Sequence, residues 1–159
     1  ELAMAVAIGC YYCLASWIVR HSAALAPLHT SSLQSAAGLV LFSVGQLGNF
    51  YHHWRLRDLR SSQSKGAGGA MVKTEISGGR MYAIPTGGLF DFVTMPHYFC
   101  ELVAWFGIFV IVPRLNVLLL CASFTSYLGG RSEATTVWYK EHFGSRWPAE
   151  RRHLVPFMY

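Results

Sequence analysis

The stretch GNFYHHWRLRDLR, Gly48 to Arg60, closes an uncharged apolar run with one Asn, two His and three Arg. Continued as a helix, it sets Asn49, His53, Arg57 and Arg60 at i, i+4, i+8 and i+11, on one face. A polar and cationic stripe growing out of a membrane-length apolar segment calls for an anionic partner. Two kinds of protein answer that description: a structural membrane fragment whose cations meet headgroups, and a membrane enzyme that holds a phosphorylated cofactor.

The rest of the chain leans the same way. Its 159 residues suit one domain, and 53% are hydrophobic with 13% charged, against roughly 25% charged in an average soluble domain. Mean hydropathy is +0.32. Four segments are expected as transmembrane helices. Leu2 to Val19 is eighteen residues without a charge, near the lower limit of roughly 17–25 for a spanning helix. The second is Leu33 to Phe50. The third opens between Phe90 and His97, reaches Val112 and carries Glu101. The fourth, Leu115 to Leu128, is short and continues helically towards His142. A soluble all-α protein fits this composition less well.

Of thirteen basic residues, six fall in the loop after the second segment, five in the tail, and only Arg20 and Arg114 in the other two loops. The positive-inside rule then puts both ends and the 55–82 loop in the cytosol. No cleavable signal peptide is evident, and Glu1 opens the chain without an initiator Met, so a piece of a longer protein is expected. Within the cytosolic loop, 61–79 (SSQSKGAGGAMVKTEISGG) reads as a flexible linker. Its glycines lack the GxGxxG and GxxxxGK[ST] spacings that cradle phosphates. Pro85 and Gly87-Gly88 in YAIPTGGLF suit a sharp turn back towards the bilayer. Cys10, Cys13, Cys100 and Cys121 all sit in apolar segments; Cys10 and Cys13 make a CYYC, but a second pair with zinc-ligand spacing is absent, and no disulfide framework is indicated.

Two further blocks carry polar groups. In MPHYFCELVAW, Pro96 suits the first helical turn, and His97 and Glu101 stack at i, i+4. A carboxylate inside a transmembrane helix is costly and marks a functional site by default; its expected partner is His97 or an Arg of the stripe. In RSEATTVWYKEHF, Arg131, Thr135, Tyr139 and His142 share a face, which also suits headgroup anchoring. A ligand with several phosphates would answer all the cationic clusters, since Arg recognises phosphate bidentately. The His boxes of a di-iron enzyme are missing, and no metal or nucleic-acid partner is expected.

These blocks, followed by WPAERRHLVPFMY, resemble the C-terminal part of the steroid 5α-reductase family, which includes steroid 4-ene, polyprenol and very-long-chain trans-2-enoyl-CoA reductases. The likeness spans residues 48–159 and ends in a Pro-x-x-Arg-x-x-Leu-Val-Pro-Phe tail. It implies an all-α integral membrane domain over 1–159, with about four transmembrane helices belonging to a larger bundle of the endoplasmic reticulum. It also implies NADPH bound by helices and cytosolic loops. By position, the resemblance assigns Asn49, His53, Arg57, Arg60, Tyr82, His97, Glu101, Arg131, Thr135, Tyr139 and Arg151 to the cofactor. His53 stands where an Asp is common, His97 where an Asn is, Thr135 where a His is, and Ala83 where a basic residue can follow the Tyr.

The implied reaction reduces a C=C bond conjugated to a carbonyl in a lipid such as a 3-oxo-4-ene steroid; the alternative is reduction of an enoyl-CoA or a polyprenol. The family's carbonyl-polarising Glu and Tyr belong to earlier helices, so the catalytic residues stay unknown here. Two other possibilities stay open: an isoprenylcysteine-type methyltransferase, faintly matched by His142-Phe143-Gly144, and an inactive fragment that only binds lipid.

Overall fold

Ser31 opens the longest helix by accepting a hydrogen bond from the Gln34 amide at 3.1 Å, as an N-cap does. This helix, α2, runs Ser32–Ser64, and its 33 residues reach about 50 Å at 1.5 Å each. The stripe therefore does lie on one continuous helix. The computed structural model describes residues 2–25, 30–64, 73–76 and 80–158, with side chains at 2, 4, 5, 60–64, 73–76, 80 and 81 outside the described set. Arg60 keeps its place on α2, but its side chain lies outside the described residues.

Before α2 comes α1 (Leu2–Ala24), and after it α3 (Pro96–Ile111) and α4 (Leu115–Phe143). Pro96 sits in the first turn of α3, and Pro113 separates α3 from α4. The α2–α3 pair is antiparallel and packed almost backbone to backbone. A Cβ built on Gly45 would lie 2.5 Å from the Ala104 nitrogen and 2.6 Å from the Cys100 oxygen, and one on Gly107 would lie 2.5 Å from the Phe42 nitrogen. Small residues permit this approach, as in membrane helix pairs. Two amides tie the pair: Gln34 Nε2 donates to the Val110 carbonyl at 2.9 Å, and Asn49 Nδ2 to that of His97 at 3.0 Å. On the other side α1 packs on α4 through Ala15, Leu120 and Phe124, with Trp105 of α3 stacked on Phe124 at 4.3 Å.

The all-α expectation needs amending. Lys73–Ile76 (β1) pairs antiparallel with Arg80–Ala83 (β2), Lys73 opposite Ala83 and Ile76 opposite Arg80. Of the segment expected as a flexible loop, 61–64 prolongs α2 and 73–76 is β1, while 65–72 and 77–79 lie outside the described residues. The tail folds back: Val93 bridges Arg152, with Thr94 N–H donating to the Arg152 carbonyl and Arg152 N–H to that of Phe92, both at 2.9 Å. Among the described residues there are four α-helices, and none is long and apolar enough to cross a membrane. The α3 helix has 16 residues, α4 reaches Arg131 in mid-helix, and α2 is interrupted by Gln34, Gln46 and Asn49.

Candidate functional site

Two cavities flank the N-terminal half of α3. The first, about 530 Å³, lies between α1, α2 and α3, and its polar lining comes from Ser16, Gln46, Asn49, His53 and Glu101. The second, about 480 Å³, lies between α1, α3 and α4, walled by Tyr11, Tyr98, Phe124 and Tyr127, with Arg131 at its edge. Tyr12 and Glu101 belong to both walls. They are joined there: the Tyr12 hydroxyl donates to Glu101 Oε1. No described residue donates to the second carboxylate oxygen. The expected His97–Glu101 pairing is therefore replaced by a contact from α1, because His97 turns away and packs its ring 4.6 Å from that of His53. His97 is buried and its Nδ1 has no hydrogen-bond partner among the described residues.

The stripe on α2 thus delivers two of its members to one cavity, Asn49 and His53. Arg57, one turn further on, is exposed, and no described residue pairs with it. Arg131 meets the Tyr98 hydroxyl, a contact that favours its charged form. Thr135 is turned back on its own helix, its hydroxyl donating to the Arg131 carbonyl at 2.9 Å. Tyr82 and Tyr139 lie elsewhere, in an aromatic cluster with Trp138, Phe143 and Trp147; Tyr139 stacks on Trp147 at 4.7 Å.

Arg151 is buried beside that cluster. It sits 4.9 Å over the Trp147 ring, and its Nη1 donates to the Pro85 carbonyl at 3.0 Å. Burial lowers its pKa, opposed by Asp91 and Tyr139. It holds the turn that the sequence placed at Gly87-Gly88, where φ is +88° and +61°. Two residues missed in the sequence hold the same turn. Arg55 Nη2 donates to the Thr86 carbonyl at 2.7 Å. His52, buried beside His53, donates from Nδ1 to the Gly48 carbonyl at 2.7 Å and accepts from Leu89 N–H on Nε2 at 3.3 Å. Those two partners fix a neutral imidazole in the Nδ1–H tautomer, and burial lowers its pKa accordingly.

One end of the bundle therefore gathers exposed Arg57, the clamped 84–91 turn and the tail, while the cavities open beside α3. No group of three His, Cys, Asp or Glu side chains placed to hold a metal ion occurs among the described residues.

Comparison with known proteins adds an independent finding. The family model described as 3-oxo-5-alpha-steroid 4-dehydrogenase matches residues 2–159. An uncharacterized protein of Schizosaccharomyces pombe is 34% identical over 137 residues, 80% of this chain and 46% of its own length. A steroid 5-alpha-reductase of Gossypium hirsutum is 35% identical over 127 residues, 77% of this chain and 42% of its own. A very-long-chain enoyl-CoA reductase of Dictyostelium discoideum is 28% identical over 156 residues, 91% of this chain and 42% of its own. The chain spans less than half the length of these relatives.

Proposed function

The chain belongs to the 3-oxo-5-alpha-steroid 4-dehydrogenase family, and from that premise we propose that it supplies the cofactor site of an NADPH-dependent reductase. The substrate is a lipid carrying a C=C bond conjugated to a carbonyl. The observation that carries this reading is the shared wall: a polar cavity and an aromatic-walled one meet at Glu101 and Tyr12.

NADPH, when bound, supplies hydride for the β-carbon of such a substrate. The residues present fit it. In the polar cavity the second oxygen of Glu101 is an acceptor for an amide N–H, and Asn49, tethered through Nδ2 to the His97 carbonyl, lines the same cavity. Arg57 and Arg131 supply positive charge for phosphates, and Arg60 would extend that charge by its place on α2. Tyr11, Phe124 and Tyr127 give the second cavity apolar walls that exclude water around a ring or chain. A 3-oxo-4-ene steroid fits that description; an enoyl-CoA is the second reading, favoured by the Dictyostelium relative, and a polyprenol has similar apolar bulk. Nothing in the family match favours a methyltransferase.

The setting we propose is a membrane, that of the endoplasmic reticulum, with the Arg57 end cytosolic. Exposed Leu39, Val40, Val44, Leu47, Phe106 and Leu119 form outward apolar faces on three helices, which need lipid or protein cover. The polar residues that interrupt α2 face inward instead: Gln34 and Asn49 bond α3, and Gln46 lines the cavity. Arg57→Ala tests the charge assignment. It should weaken NADPH binding roughly tenfold, the scale of a lost charge-assisted contact, with an unchanged melting temperature. Equal affinity in the variant would count against it.

A further inference from the structure

Glu101 is a flexible carboxylate at the meeting point of two cavities, and something must hold it still if it is to receive a ligand. Its one described partner is Tyr12, from a helix 89 positions away in sequence. The Tyr12 ring is itself braced, packed 5.6 Å from Phe124 and 6.2 Å from Tyr11, and Tyr11 is anchored to Ser123 at 2.9 Å. That chain of contacts runs from α4 through α1 to Glu101 on α3. We infer that Tyr12 is a positioning residue: it pins Oε1 of Glu101 so that the other oxygen faces the polar cavity as a fixed acceptor for an N–H donor of the cofactor.

The inference rests on the reductase reading above, and the chemistry gives Tyr12 a defined part in it. A hydroxyl that already donates to a carboxylate orients that carboxylate. Removing the hydroxyl leaves Glu101 free to rotate between two cavities, and a site loosened in this way binds less well at unchanged composition. Because Tyr12 also lines the aromatic cavity, the same side chain keeps the two compartments in register. Its hydroxyl has no such role if Glu101 merely fills space.

The test is a double-mutant cycle on NADPH affinity, in the intact protein carried in membranes or detergent with whatever sequence its gene places before Glu1. Tyr12→Phe keeps the ring and removes only the donor. It should raise the NADPH dissociation constant roughly tenfold, the scale of one hydrogen bond to a charged group. In a Glu101→Gln background the same Tyr12→Phe change should cost under about twofold, since the two residues act as one unit. Wild-type protein that fails to bind NADPH overturns the reductase reading itself. Wild-type protein that binds NADPH while Tyr12→Phe binds equally well overturns the role of Tyr12 alone. Equal losses from Tyr12→Phe in both backgrounds, or a lowered melting temperature with unchanged affinity, also overturn it.

Discussion

Replacing Gly45 by Ala should push α3 away from α2, and the size of the effect follows from the contact geometry. The new Cβ would meet three backbone atoms, the Ala104 nitrogen at 2.5 Å, the Cys100 oxygen at 2.6 Å and the Ala104 Cα at 2.8 Å. None of these can swing aside like a side chain. Overpacking of this kind costs about 1–3 kcal/mol. Separation also stretches the Gln34–Val110 and Asn49–His97 bonds, each worth about 1 kcal/mol. A total near 3 kcal/mol would lower the melting temperature by roughly 6–12 °C on the scale of soluble domains of this size. Thermal unfolding in detergent reads this directly. Gly9→Ala is the internal control: a Cβ there meets nothing within 4 Å, and Ala favours the helix by about 1 kcal/mol, so that variant should melt at or above wild type. Gly45→Ala melting together with Gly9→Ala would refute the close-packed α2–α3 interface.

Two more outcomes follow. Arg151→Met should destabilise by about 2–4 kcal/mol, since it strips the buried Pro85 carbonyl of its donor and removes the contact over Trp147; a melt unchanged from wild type would make the clamp superfluous. Val44→Lys, at an exposed apolar position, should cost about 3 kcal/mol of bilayer insertion and raise the fraction released by alkaline carbonate extraction. Wild-type protein already released by carbonate would contradict the membrane setting.

Much of the fold is legible in the sequence because apolar runs end at Pro, Gly or charge. Pro96 and Pro113 bracket α3, and the uninterrupted stripe announces that α2 continues past Gly48. The hairpin is harder to read. KTEI and RMYA are four residues each, too short for alternation to stand out beside glycine-rich neighbours. At the site, Glu101 was visible as a lone carboxylate among apolar residues, but its Tyr12 partner was not. A contact between helices 89 positions apart leaves no local spacing to find. The cations divide for a similar reason. The composition of the stripe suggests ligands throughout, yet buried carbonyls of the 84–91 turn also need donors, and Arg55 and Arg151 meet that need. His52 and His53 differ by one position and so by about 100° around the helix. That rotation alone sends one into the turn and the other into the cavity.

In the proposed reaction hydride passes from NADPH to a conjugated double bond held beside Glu101 and Tyr12. The most direct measurement supplies the intact protein with NADPH deuterated at its transferable position and an enone lipid, and locates the label in the product by mass spectrometry. One deuterium on the β-carbon is the predicted result, with the labelled yield at limiting NADPH reduced in the Tyr12→Phe variant. Saturated product without label, or no product from steroid, enoyl-CoA and polyprenol candidates alike, would contradict it.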